Sequence, residues 1–560
     1  MTLCDVSRHR PSRQPAWLRL TSLALATVLS LASVAPPAWG QQGSAGAALR
    51  LPALGEAASD DFGLSQEKRV GEQVMREIRR DPDYLDDPAL LDYLNALWQP
   101  LVQAAKARGD IGVDTEKLFP YEAFLVRDRS VNAFALPGGF IGVHLGLMAL
   151  TASPDELASV LAHELSHVTR RHIARSIAAS SRSSTLGLVG MLLGLLVASR
   201  SNSVDAAQAA VVGGQAAMAQ AQLNFSRDME READRTGLAV MGEAGFAPAG
   251  MAAMFDKLDQ SSRLNDSGGF PYLRSHPLTV DRIGEARQAV EAAGVGPAHA
   301  SDAAPAATLL LHSLMQARAR VKMDPSTQAL RRLQDLDSRG TPNTLPLAER
   351  LAGLYAGALA SSLLRDFARA ERSAAQAQAL LASSGGPADI ASHRAVDQLV
   401  ASLALARGDW ARASQALKVS DSAALDTSRA GLLLRAELAL AEGGRDGMQR
   451  SGEALQIWVS EHREDASAWQ LLAQTAERQG QRLRALRALA ESQAALGNLP
   501  GALDRLRAGQ QLVRTGGVAT DFIEASVIDA RVRDLLAQRR ELLAEQRKQN
   551  GSRGGEASPE

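Results

Sequence analysis

The sequence predicts a mainly α-helical protein of at least two domains, the first carrying a small β-sheet and the second an α-solenoid of helix pairs. Three observations lead there. The chain has 560 residues with 46% hydrophobic content, too long for one compact core and too apolar to stay unfolded. Only 4% of the residues are aromatic, and an interior short of rings but rich in Ala and Leu suits close-packed helices more than sheets. From about Ala306 to Gln549 the chain becomes a run of Ala, Leu, Arg and Gln at helical spacing.

The first forty residues read as an address and not as part of the fold. Arg8, Arg10, Arg13 and Arg19 precede an apolar stretch from Leu20 to Ala35, and Ala38-Trp39-Gly40 places small residues before a cut ahead of Gln41. This is the pattern of a secretory signal peptide over residues 1–40. The alternative, an uncleaved anchor, has to contend with an apolar core that is short for a membrane span. The only cysteine, Cys4, lies ahead of the apolar core where no lipobox can place it, and cleavage leaves a chain that can form no disulfide. Cleavage also removes four arginines and one aspartate, taking the formal charge from -1 to -4. A mildly acidic mature chain without a basic cluster argues against nucleic acid as the main partner.

Residues 41–300 form the expected first domain, since every strong chemical motif falls between Asp61 and about Val290. A turn-rich stretch from Pro297 to Pro305 marks the boundary. Residues 305–549 form the expected repeat domain, and residues 550–560 a disordered tail. Gly408-Asp409, Gly443-Gly444 and Gly480 each close an apolar helical segment, at spacings of 35 and 37 residues. Such periods suit helix-turn-helix repeats of about 34 residues. Trp469, Leu472, Ala473 and Gly480 fall close to the tetratricopeptide pattern, and Ala485-Leu486 begin a second helix. An irregular helical bundle is the alternative. Either arrangement presents surfaces and holds no catalytic cluster.

The chemistry is concentrated after Ser153-Pro154-Asp155-Glu156, a good helix start with Ser153 as N-cap and Pro154 at the first position. From Leu157 to Ile173 there is no Gly or Pro. His163 and His167, four apart, therefore project from one face one turn apart, as two imidazoles must to grip one zinc ion. Glu164 sits on the adjoining face, in reach of an attacking water and not of the metal. Zinc-assisted hydrolysis needs such a carboxylate to take the water's proton and deliver it to the leaving amine.

Zinc needs a third protein ligand, with the fourth position left for water. The best source is Asn224 to Asp234, where Glu230 and Asp234 are four apart on an expected helix, so that one can bind the ion and the other accept a hydrogen bond from a ligand histidine. Spacing alone leaves Glu232 open as well, and a solvated charged helix is the bland reading of the same residues. Asn132 to Gly139 reads as a turn leading into an apolar strand, Phe140-Ile141-Gly142-Val143. His172, five beyond His167, is expected off the ligand face, at the surface or behind the ligands. The apolar run Leu186 to Ala198 is too short to span a membrane. It is expected to pack as a core helix, to lie over the active site as a lid or plug, or to touch a membrane surface.

Asn132-Ala133-Phe134-Ala135-Leu136-Pro137-Gly138-Gly139, His163-Glu164-Leu165-Ser166-His167 and Glu230-Arg231-Glu232-Ala233-Asp234 together resemble the zinc peptidase family that includes HtpX and the CaaX prenyl proteases. Signal, catalytic domain and helical repeats in that order are similar to its Gram-negative periplasmic members. The resemblance implies a zincin-type metallopeptidase domain of gluzincin type with one Zn2+, held by His163, His167 and Glu230, with Asp234 behind a ligand and Glu164 as catalytic base. It implies an edge strand where substrate adds through Asn132, Ala133, Phe134, Ala135 and Gly138. It makes His276 of Ser275-His276-Pro277 a fourth ligand that holds the enzyme inactive, or else a catalytic group, and Arg282 a partner for a carboxylate or the transition state. The implied function is periplasmic quality control and assembly of outer-membrane β-barrel proteins, with misfolded or stalled barrel proteins and the barrel assembly machinery as partners. A scaffold with a latent site and a general periplasmic peptidase are the competing readings.

Overall fold

The computed structural model describes residues 62–179, 226–264, 270–292, 306–340, 344–383, 389–421, 425–516 and 521–554. The expected signal peptide, the Leu186 to Ala198 run and the Pro297 to Pro305 stretch lie outside the described residues. No helix among the described residues is long and apolar enough to cross a membrane.

The first part opens with α1 (Leu64–Ile78), the short strand β1 (Tyr84–Leu85), α2 (Pro88–Ala107) and α3 (Val113–Leu118). Strands β2 (Glu122–Val126), β3 (Ala133–Leu136) and β4 (Phe140–His144) follow, then α4 (Leu145–Leu150), α5 (Pro154–Thr169) and α6 (His172–Ala179). Beyond residue 225 come α7 (Arg227–Glu243), α8 (Ala249–Leu264), α9 (Pro271–Ser275) and α10 (Val280–Ala292). The sheet order is β1-β2-β4-β3. β4 lies parallel to β2 and antiparallel to β3, with Ala133 opposite Val143 and Leu136 opposite Phe140. The stretch from Ala133 to Leu136 is thus already a strand, and only Pro137-Gly138-Gly139 turn, with φ of 80° and 89° at the two glycines. Among the described residues β3 pairs with β4 alone and forms a sheet edge.

Helix α5 starts as its sequence requires: Ser153 Oγ accepts from Glu156 N at 3.2 Å, and the Glu156 carboxylate accepts from Ala152 N at 2.6 Å. It packs against α2, α7, α8 and β3, so every residue from Pro154 to Val168 is buried, polar ones included. It ends at Thr169, short of the expected Ile173. Arg171 takes a left-handed conformation with φ of 52°, and its guanidinium is held by the buried Glu67 at 3.1 Å and the Phe62 carbonyl at 2.8 Å. These tertiary contacts offset the local strain and restart the chain as α6.

The second part is helical throughout: α11 (Ala306–Lys322), α12 (Thr327–Gln334) with a 3-10 turn after it, α13 (Leu347–Leu363), α14 (Phe367–Ser383), α15 (Ile390–Arg407) and α16 (Trp410–Asp421). It continues with α17 (Arg429–Glu442), α18 (Arg445–Glu461), α19 (Ala466–Arg478), α20 (Arg482–Ala495), α21 (Leu499–Arg514) and α22 (Phe522–Gly554). Consecutive helices pack as neighbours from α16 through α22. Gly443 and Gly480, two of the expected segment ends, have φ of 71° and 75°, a region only glycine enters freely.

The two parts share one hydrophobic core running from Leu85 to Leu438. α11 is its bridge. Leu314, Met315, Ala319 and Val321 bury beside the first part. His312 accepts or donates at Tyr93 Oη (2.5 Å) and donates to the Thr151 carbonyl (3.0 Å). Arg318 forks onto Asp87 at 2.6 and 3.0 Å. Further along, Arg429 bridges Asp86 and Asp465 with four contacts of 2.7 to 2.9 Å.

Candidate metal centre

Two helices build the site by facing one another, α5 buried throughout and α7 buried on one face. α5 presents His163, Glu164 and His167, and α7 packs across it. The approach is close at Gly237, where a Cβ would stand 3.2 Å from the α5 backbone at Ala162 and His163. That contact turns the i and i+4 carboxylates of α7, Glu230 and Asp234, toward α5. His276 enters from the turn after α9, where Tyr272 stacks on its ring at 4.7 Å.

His163, His167, Glu230 and His276 each offer one donor atom, all within 4.8 Å of one another and all buried. The Nε2 atoms of His163 and His167 are 2.9 Å apart, and His276 Nδ1 lies 3.4 Å from His163 Nε2 and 3.0 Å from Glu230 Oε1. Glu230 stands 3.6 Å from His163 Nε2 and 3.5 Å from His167 Nε2. Four ligands at ordinary zinc distances are separated by roughly 3.3 Å along the edges of their tetrahedron, so this donor set fits a zinc ion in both chemistry and spacing. The field fits as well. Burial opposes charge on His163, but hydrogen bonds and charge from Asp234 and Glu230 outweigh it and push the ring up to about 9. Burial and the neighbouring His163 and His276 hold His167 well below its usual value. The carboxylates of Asp234 and Glu230 thus favour positive charge beside His163.

Glu164 is fully buried, and neither carboxylate oxygen has a hydrogen-bond donor among the described residues. His276 Nε2 lies 3.5 Å from its Oε1. Asp234 Oδ1 accepts from His163 Nδ1 at 2.9 Å. Arg282 grips the same carboxylate, Nε to Oδ2 at 2.6 Å and Nη2 to Oδ1 at 2.8 Å, and reaches Glu230 Oε2 at 2.8 Å. Burial works against the Asp234 charge, but these bonds hold its carboxyl below the usual range. Arg282 therefore pairs with carboxylates already committed to the site.

The structure decides between the alternatives that spacing left open at His172 and Glu232. His172 is fully buried, with Nδ1 at 2.9 Å from His167 Nδ1 and Nε2 at 3.1 Å from Glu232 Oε2. A continuous helix would have carried it off the ligand face, and the break at Arg171 swings it back behind His167. No Gly or Pro announces that break, so nothing in the sequence pointed to it. Glu232, left open by spacing as a ligand, points away from the cluster to His172 and to Arg175 at 2.9 Å.

The strand residues divide in the same way. Asn132 and Ala133 are buried, and Phe134 and Ala135 half-buried. The Phe134 ring covers Gly142, where a Cβ would stand 2.3 Å from it. Gly138 turns against the backbone of Glu67 and Lys68, away from the metal cluster's helices. β3 itself packs beside α5, and Tyr272 N donates to Val131 O at 3.4 Å, so the His276 segment is tied to the start of this edge strand.

Two α-helices, two histidines four apart with a carboxylate between them, and a glutamate from the second helix define a metallopeptidase, and the sequence model of peptidase family M48 matches residues 98–290. The chain belongs to that family. It is 30% identical over 490 residues to the beta-barrel assembly-enhancing protease of Yersinia pestis, covering 87% of this chain and 91% of that one. The protein of the same name from Escherichia coli (strain K12) is 29% identical over 483 residues, 85% of this chain and 90% of its own length. The mitochondrial metalloendopeptidase OMA1 of Schizosaccharomyces pombe is 28% identical over 239 residues, 42% of this chain and 64% of its own. The similarity to the bacterial proteins extends through the helical half, whereas the mitochondrial match is confined to a shorter stretch.

Proposed function

We propose that this metallopeptidase uses zinc, works in the Gram-negative periplasm on outer-membrane β-barrel proteins during their assembly and quality control, and rests in a latent state. The convergence of His163, His167, Glu230 and His276 beside Glu164 carries the reading. The similarity to the bacterial beta-barrel assembly-enhancing proteases, and its extent over both halves, support the substrate class and the role of the helical half as tetratricopeptide-type recruitment surface. An N-terminal signal peptide, residues 1–40, is the route to the periplasm.

In this scheme His163, His167 and Glu230 hold the ion, and Asp234, fixed by Arg282, orients His163. A bound zinc ion supplies a Lewis acid for the scissile carbonyl and lowers the proton affinity of the attacking water. Glu164 takes that water's proton and returns it to the leaving amine. Substrate backbone adds along Asn132, Ala133, Phe134 and Ala135 at the β3 edge, up to the turn at Gly138. His276 occupies the position that the water needs and stands against Glu164, which makes it a latch. Because Tyr272 ties the latch to Val131, substrate docking on β3 is placed to release it.

The test uses the full chain. Glu164→Gln should keep its zinc and lose cleavage of casein, while proteins trapped on it in cells should be outer-membrane barrels. Soluble periplasmic proteins in the trap would make this a general peptidase, and full complementation by the inactive variant would make it a scaffold. His276→Ala should keep zinc and raise cleavage, including self-cleavage. Loss of cleavage with zinc and fold intact would make His276 a catalytic group and end the latch.

A further inference from the structure

His172 and Glu232 take no part in the scheme above, yet they extend an unbroken polar path from one of its ligands to the surface. His172 is fully buried, and Glu232, its side chain 37% exposed, is held by Arg175 at 2.9 Å and Arg170 at 3.8 Å. A ligand bonded through Nε2 carries its hydrogen on Nδ1. For His167 that hydrogen points at His172 Nδ1, 2.9 Å away, which must then offer its lone pair. The hydrogen of His172 is therefore on Nε2, 3.1 Å from Glu232 Oε2, and a carboxylate only accepts. The path has one consistent direction.

We propose that His172 is a positioning residue for the metal, which together with Glu232 orients His167 as Asp234 alone orients His163. The two ligand histidines thus each end on a carboxylate, one directly and one through an inserted imidazole. Carboxylate-backed ligands are held at one ring rotation and are made better donors, and loss of such support costs about 10–100-fold in metal affinity. The break at Arg171 is what makes the second path possible, since only the restart at α6 brings a ring behind His167.

The proposal rests on His167 being a ligand, so the experiment tests both separately. Zinc is stripped from the full-length protein and titrated back against a chromophoric chelator, for wild type, His167→Ala, His172→Leu, His172→Gln and Glu232→Ala. Cobalt is loaded in parallel to read its visible bands, and the thermal midpoint of each metal-free form is recorded. His172→Leu and Glu232→Ala should bind zinc about 10–100-fold more weakly with shifted cobalt bands and an unchanged metal-free midpoint. His172→Gln should recover most of the affinity, because its amide accepts from His167 and donates to Glu232. Wild-type affinity in either folded variant, or a glutamine no better than leucine, overturns the proposal. Should His172→Leu not fold, Glu232→Ala carries the test, since Glu232 lies at the exposed end. Zinc retained by His167→Ala would instead overturn the ligand assignment itself.

Discussion

Gly146 and Gly250 in the peptidase half and Gly443 and Gly480 in the helical half are glycine for opposite reasons. At Gly146 a Cβ would stand 2.2 Å from the Arg129 carbonyl oxygen, and at Gly250 one would stand 2.5 Å from the Asp155 carbonyl. These glycines exist because two distant backbones touch. At Gly443 and Gly480 nothing lies within 4 Å of an added Cβ, and the residues are glycine because φ is positive. Burial follows the same division. α5 is buried on all sides from Pro154 to Val168, whereas α19 buries Ala468, Trp469, Leu472, Ala473, Thr475 and Ala476 and leaves its other residues at least partly open. At these positions the peptidase half depends on long-range approach and the helical half on local backbone conformation.

The sharpest way to break that comparison is Gly146→Ala. A Cβ at 2.2 Å from a carbonyl oxygen cannot be met by a side-chain adjustment, and overpacking of this severity should cost about 3 kcal/mol or more, seen as loss of the cooperative thermal transition or of soluble protein. A smaller effect is expected where the halves meet. Burial alone would raise the Asp87 carboxyl, but the charge and hydrogen bonds of Arg318 outweigh it and lower it to about 2 from 3.8. A carboxyl whose folded value is depressed stabilises fully above its unfolded value and ceases to do so as pH falls through the folded one. The stability difference between wild type and Asp87→Asn, measured by urea unfolding, should therefore shrink by about 2 kcal/mol between pH 5 and pH 2. A difference that does not change with pH would remove Arg318–Asp87 as the charged tie between the halves.

The smallest effect belongs to Gly480→Ala. There the added methyl meets open space and only the left-handed backbone objects, at about 1–2 kcal/mol. Thermal unfolding should show a modest fall with zinc binding unchanged. A loss equal to that of Gly146→Ala would mean that Gly480 also mediates a distant contact, as Gly497 does against Arg76, and its contrast with Gly146 would fail.

What the sequence determined by itself was whatever depends on near neighbours. The mainly helical class, the N-cap at Ser153, and the shared face of His163 and His167 follow from spacing within one helix, because three or four residues fix which side chains stack. Glu230 and Asp234 were legible as a pair for the same reason, although Glu232 stayed open until the docking of α7 on α5 decided which face looks inward. Spacing left the rest to tertiary structure, although the family resemblance already implied the edge strand and His276 at the metal. Strand β3 is extended through Ala133–Leu136 because β4 lies between it and β2 and pairs with it, a register no local turn signal encodes. His276 reaches the cluster from more than a hundred residues away along the chain, and α11 completes the first part's core from beyond the expected boundary. His172 stands behind His167 only because Glu67 and the Phe62 carbonyl hold Arg171 in a strained turn. Local pattern determines which faces a helix has, and only the packing of distant segments determines what each face meets.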